Sequence, residues 1–415
     1  MRRWILLDDG GGRFGPLTDL RSIIEVRTGA STILERFRRA WGEPRAVAVP
    51  KALRGLASER GLPEYVSDGD GPIEIWNARL RGDLSALADS PAPGEAWCTS
   101  DGEFLAASLD PREAAALLGS GELDDRIRRV VRSDLSLISR PWHILDDLDA
   151  RLRQDLSAIA DDEGFSDAGG TGFERVGDHP IRTQATARIG RAVVLDATAG
   201  PIVIGAGASI GHGSILEGPV FVGPGCVVAP RTHLKRGVSL GPVCKVGGEI
   251  GATIFQGHAN KVHEGHLGDA WVGEWANFGA STVNSNLLNT YGEVSMRLAP
   301  DGPSERTGRT AMGCLVGDHV KFAIGTRITT GACFGTGSMI AVDDPPRCVG
   351  RFRWLVDRGE TGYRYERFLE VATIAAGPRG PTVSTSTQSR PFVEISTTRT
   401  SSLGFAPVSF ENQRQ

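Results

Sequence analysis

Three of the chain's eight histidines fall in one short stretch, Gly257-His258-Ala259-Asn260-Lys261-Val262-His263-Glu264-Gly265-His266. An imidazole, with an ordinary pKa of about 6.5, takes a proton readily at neutral pH and so suits general-base work. Acyl transfer to an amine needs such a base, because an ammonium has no lone pair with which to attack a thioester. Asn277, Asn284 and Asn286 follow closely, and their amides can orient a sugar or a histidine ring. Only five of the 46 basic residues are lysine, and Lys235, Lys245 and Lys261 share this region.

The element that must carry these residues is a repeat. Aliphatic residues recur at a period of six through Ile204, Ile210, Leu216, Val222, Val228, Leu234, Leu240 and Val246. The register resumes at Val272 and Phe278, then runs through Val316, Phe322, Ile328, Phe334 and Ile340. Neither an amphipathic helix nor an alternating strand has this period. It fits a left-handed parallel β-helix of hexapeptide repeats, in which each six-residue side sends one aliphatic residue into a shared core. Glycine often follows the aliphatic position, as at Gly205, Gly211, Gly223, Gly241 and Gly247, and keeps that corner free of a Cβ. The register breaks between Val246 and Val272, and between about Asn284 and Val316; such breaks are expected to become surface loops where binding groups sit.

Residues 1–165 lack the hexad. Strands are expected at Trp4–Leu7, Ala46–Val49 and Ile73–Trp76, and helices at Ser31–Trp41, Pro111–Leu118, Asp124–Leu135 and Trp142–Ile159. Their alternation predicts an α/β layer domain over residues 1–165. A linker is expected over 166–178, the coil over 179–345, a C-terminal extension with a helix over 346–376, and a disordered tail over 377–415, rich in Ser, Thr, Pro and Arg.

Composition narrows the function classes. A net charge of −4 with no basic block argues against a nucleic-acid partner. The residues before Asp8-Asp9 are too few for a signal peptide or membrane span, so a cytoplasmic protein is expected. Cys98, Cys226, Cys244, Cys314, Cys333 and Cys348 form no CxxC pair and read as reduced, buried thiols.

The stretch Gly265 to Asn286, GHLGDAWVGEWANFGASTVNSN, resembles the acetyltransferase domain of GlmU-type bifunctional enzymes. Such enzymes carry a nucleotidyltransferase domain before a left-handed β-helix, acetylate glucosamine 1-phosphate from acetyl-CoA, and join the product to UMP from UTP. GPVCKVGG, TIFQGHANK, NTYGEV and TGRT resemble a divergent bacterial branch. The resemblance implies a catalytic base at His263, with His266 where tyrosine is usual. It implies that Asn277 holds the sugar phosphate, that Asn286 stands near the reacting amine, and that the Ala280 N–H faces the oxyanion. Lys245, Lys261 and Arg231 are the candidate phosphate ligands by proximity, and Ile324 and Val342 fall where small residues meet coenzyme A. A homotrimer is implied, with each acetyl-transfer site between subunits. For the first domain, Gly11, Gly12, Arg13 and Arg21 are the candidates for the phosphate loop, with Asn77 near the sugar or a metal and Mg2+ as cofactor if it transfers uridylyl groups.

Two other readings compete. Trimeric coils resembling γ-class carbonic anhydrases bind zinc through three histidines, and His258, His263 and either His233 or His212 could supply them. The third reading is a non-catalytic sugar-nucleotide-binding scaffold.

Overall fold

The computed structural model describes residues 3–65, 71–87, 89–162 and 164–376, so the tail expected to be disordered lies outside the described residues. The N-terminal unit is one mixed sheet with helices. β1 (Trp4–Leu7) is wholly buried and pairs in parallel with β2 (Ala46–Ala48) on one side and β3 (Ile73–Asn77) on the other. A four-residue apolar run buried on both faces is what a central parallel strand requires. β4 (Glu95–Cys98), β5 (Phe104–Leu109) and β6 (Arg128–Val131) complete the order β2-β1-β3-β5-β4-β6.

Helix α1 (Ile33–Trp41) starts two residues after the expected Ser31, because Thr32 and Glu35 form a reciprocal capping box. α2 (Arg54–Glu59) follows β2, and α3 (Pro111–Ser120) is capped by Asp110 and stopped by Gly121. The helix expected over 124–135 is instead β6, paired in parallel with β4. Leu123, Ile127 and Val130 mimic a helical apolar stripe, but Val130 and Val131 are β-branched and the open edge of β4 takes them. The single helix expected over 142–159 is two, α4 (Pro141–Asp146) and α5 (Leu148–Ala160), parted at Asp147, whose carboxylate accepts two bonds from Arg81.

The second unit is a three-sided parallel β-helix of the left-handed hexapeptide type, with two ten-stranded faces and one of six strands. The hexad aliphatics stack in register, as in Ile204, Val222, Leu240, Phe255, Val272, Val316 and Phe334 on one face. At Gly241 a Cβ would stand 2.0 Å from the Gln256 carbonyl oxygen of the next turn, so only glycine lets the rungs close.

The first register break does not produce a loop. Ile250, Phe255, Lys261 and Leu267 keep the core filled on sides of unequal length, and every rung remains paired. The second break does leave the coil and forms a small antiparallel hairpin, Ser295–Met296 against Glu305–Arg306. Both ends of the coil reach further than the hexads do. Phe165–Asp167 and Phe173–Val176, inside or beside the expected linker, pair onto its first turns. Cys348–Val349 and Arg353–Val356 extend it past residue 345. Helix α6 (Tyr365–Ala376) then folds back, with Phe368 and Ala372 against Leu20 of the N-terminal unit.

The two units share a core. Val203, Phe221, Ile254, Trp271, Leu315 and Cys333 point outward from one ten-stranded face and are buried with Trp4, Leu17 and Trp142. Polar bonds cross the same seam: Ser239 Oγ donates to the Gly29 carbonyl at 2.6 Å, and Trp271 Nε1 to that of Arg27 at 3.2 Å.

Candidate active site

The six-stranded face carries His233, Glu249 and His266 in register on successive turns, with Leu234, Ile250 and Leu267 pointing inward beside them. Glu217 meets His233 Nε2 at 2.6 Å. Glu249 accepts from the Lys235 ammonium and lies 3.3 Å from His266 Nδ1; the Lys235 bond above all holds this carboxyl below its usual range. An ionised Glu249 favours the tautomer of His266 with its hydrogen on Nδ1 over the one with its hydrogen on Nε2.

That nitrogen overhangs Gly268. A Cβ there would stand 2.7 Å from His266 Nε2 and 3.2 Å from Asn286 Nδ2, so the bare glycine floors a cradle walled by an imidazole and an amide. Asn286 is fixed by donating to Asp269 Oδ2 at 2.7 Å. Arg309 spans from Asp269 at 3.1 Å to Asp146 of α4 at 2.8 Å, tying this wall to the N-terminal unit. Asn284, one of the sequence candidates, faces inward and exchanges two 2.9 Å bonds with the Gly268 backbone, so it shapes the floor.

His263 is exposed at the corner between this face and its neighbour, and Ala280 occupies the same corner one turn on. Beneath it lies Lys261. Its side chain takes an inward position paired with Val246, and its ammonium donates to the carbonyls of Gly247, His263 and Glu264 at 3.4, 3.0 and 3.4 Å. Burial lowers its pKa to about 8. Lys261 therefore buttresses the His263 turn from inside and is no outward phosphate ligand. Asn277 accepts from the Asn260 amide at 2.8 Å on the adjoining ten-stranded face, in a ladder with Lys245 and Lys321. Arg231 is exposed at the His263 corner, two turns earlier. Ile324 is exposed and Val342 half-buried. Glu249, Asp269 and Arg309 were not singled out in the sequence; their spacing carries no signal until the turns are stacked.

Within the chain His258 is separated from His263. It sits at a different corner, stacked on Trp275 with centroids 4.6 Å apart. Among the described residues no group of three or more His, Cys, Asp or Glu is placed to hold a metal.

In the N-terminal unit the glycine turn is held by its own carboxylates. Asp8 accepts from the Ser22 hydroxyl, Gly10 N and Ile23 N, while its burial raises its pKa. Asp9 accepts from Gly11 N, Asn77 Nδ2 and both Arg79 Nε and a terminal nitrogen at 2.7–3.0 Å. A Cβ at Gly11 would come within 2.4 Å of the Arg79 guanidinium. Asn77 is fully buried; it donates to Asp9 and the Phe104 carbonyl and accepts from Arg79 N, making it a strut and not a ligand. Arg21 is buried too, with Asp318 and Glu274 of the coil each 3.0 Å from its guanidinium. It joins the two units and is not available to a phosphate. Gly12 borders the turn, and Arg13 is half-exposed at its end.

Residues 4–163 match the family described as sugar nucleotidyl transferase. The chain is 31% identical over 110 residues to the bifunctional protein GlmU of Thermotoga petrophila, and equally to that of Thermotoga maritima. Each alignment covers 26% of this chain and 22% of the relative, so the chain spans less than a quarter of the curated relatives it matches. Among solved structures, a hexapeptide transferase family protein from Anaplasma phagocytophilum is 14% identical, covering 55% of this chain and 97% of that one at a TM-score of 0.21. A perosamine N-acetyltransferase variant from Caulobacter crescentus, solved with CoA and GDP-perosamine, is 13% identical, covering 87% and 97% at a TM-score of 0.16. The family match takes in the N-terminal unit, and the likeness to the GlmU proteins takes in 26% of the chain.

Proposed function

We propose that this chain is a transferase whose coil moves an acetyl group from acetyl-CoA to an amino sugar 1-phosphate, glucosamine 1-phosphate being favoured. The observation that carries the reading is the cradle over Gly268, between His266 Nε2 and Asn286 Nδ2 and beside the exposed His263 corner. In the proposed step the sugar's 2-ammonium group gives one proton to water, and His263 takes a second from the same nitrogen as it bonds to the acetyl carbon. The freed amine attacks the thioester carbonyl, and the Ala280 N–H faces the oxygen on which charge develops. Collapse of the tetrahedral intermediate breaks the C–S bond, and the coenzyme A thiolate leaves with the proton that His263 returns. No protein nucleophile is required. Cys244 and Cys314 support this, since both are buried and burial pushes the Cys314 thiol up to about 12.

The candidates divide between two faces of one coil, His266 and Asn286 on one, Lys245 and Asn277 on the next. A homotrimer would set one face of a subunit against the other face of its neighbour and complete each site. Uridylyl transfer from UTP is proposed for residues 4–163 on the family match. Asp8 and Asp9 do not fit Mg2+ as they stand, because internal donors occupy both carboxylates, so no metal-dependent step is derived. A cytoplasmic location goes with these substrates; among the described residues no helix is long and apolar enough to cross a membrane.

The test is thiol release from acetyl-CoA with a panel of amino sugar phosphates, read alongside the mass of the product. Release with glucosamine 1-phosphate exceeding that with its 4-epimer is the expected result. Absence of release with every member would overturn the reading.

A further inference from the structure

The glycine turn ends against a carboxylate that belongs to the coil. Glu305, on the hairpin that leaves the coil at its second register break, lies 2.9 Å from an Arg13 terminal nitrogen and 2.7 Å from Arg140 Nε, both through Oε2. The two residues also meet at Ser139, Arg13 through its backbone N–H and Arg140 through its guanidinium. The Ser139 carbonyl accepts from Arg13 N at 2.9 Å and from Arg140 at 2.7 Å, and Ser139 N donates to His143 Nδ1 at 3.2 Å. Neighbouring charges are matched elsewhere: Arg79 with Asp9 and Glu103, Arg81 with Asp147, Arg309 with Asp146 and Asp269. The fork thus sets two positive charges against one carboxylate, where a phosphate dianion would balance both and accept the same bonds.

We propose that Arg13 and Arg140 form a binding site for a phosphate or pyrophosphate group of a nucleotide, and that Glu305 is its internal occupant, displaced when the ligand arrives. The site rests on reading residues 4–163 as a nucleotidyltransferase unit. It reassigns the phosphate contact from Arg21, which is locked to the coil, to Arg140. Gly10 N and Gly11 N are already bonded to Asp8 and Asp9, so the arginines carry the recognition. Because the hairpin also leads to Arg309 and Asn286, displacement of Glu305 moves the segment that walls the Gly268 cradle.

The experiment is calorimetric titration of the full-length protein with inorganic pyrophosphate at fixed ionic strength, for the native chain and Glu305→Gln. Loss of the competing charge tightens binding about tenfold or more (roughly 1.4 kcal/mol per factor of ten), and adding Arg140→Ala cancels the gain. Equal or weaker binding by Glu305→Gln, or a gain that survives Arg140→Ala, overturns the site. Hydrogen exchange on the native chain supplies a check that needs no variant: saturating pyrophosphate speeds exchange over 295–306, and unchanged exchange overturns the displacement. Uridylyl turnover from UTP is measured separately. Turnover without these responses removes the site but keeps the nucleotidyltransferase reading, and the responses without turnover do the reverse.

Discussion

Lys261 shows how one residue can mislead in sequence and inform in structure. A lysine among histidines reads as a phosphate ligand, yet its position in the turn is one that neighbouring turns fill with Val246 and Phe278. The hexad break concealed this, since within it the steps from Val246 to Ile250, Ile250 to Phe255 and Leu267 to Val272 are shorter than six residues. Burial brings its pKa to about 8 from an ordinary 10.5. Between those values the unfolded chain holds more protons than the folded one, so stability rises with pH across that window and is lower beneath it. Lys261→Met removes the ionisation. Urea unfolding from about pH 7 to about pH 10 is expected to show the native chain gaining about 1–3 kcal/mol relative to the variant. An identical pH slope in both proteins would contradict the placement. His263 and Asn286 were singled out because they lie in one contiguous stretch that carries the resemblance. Glu249, Asp269 and Arg309 were not, because long-range pairing alone brings them there.

At the scale of elements, the coil was legible from its period and the N-terminal sheet only in part. Eight uninterrupted hexads leave no other regular structure that buries all eight aliphatics. The strands Glu95–Cys98 and Phe104–Leu109 were missed, and 124–135 was read as a helix, because their pairing partners are distant and propensity alone does not specify an edge. The close approach at Gly241 makes a direct test of rung spacing. Gly241→Ala puts a methyl on the Gln256 carbonyl and is expected to cost about 1–3 kcal/mol in chemical denaturation. Loss of less than about 0.5 kcal/mol would mean the rungs are spaced more widely than described.

At the scale of the whole molecule, the N-terminal unit lies along one ten-stranded face of the coil, and the seam is both apolar and charged. Arg21 reaches Asp318 and Glu274 across it, and Arg351 of the coil reaches Asp19. The remaining two faces hold the proposed acetyl-transfer residues, and covering the third leaves both open to the subunits of the proposed homotrimer. The hairpin runs from Glu305, beside Arg13 and Arg140, toward Arg309, which bonds Asp269 next to Asn286. The most direct measurement is thiol release from acetyl-CoA with glucosamine 1-phosphate by the native protein and by His263→Ala, side by side. The account predicts release by the native protein and a fall of about two orders of magnitude or more in the variant, with unfolding unchanged. Equal rates in the two proteins would contradict a base at His263.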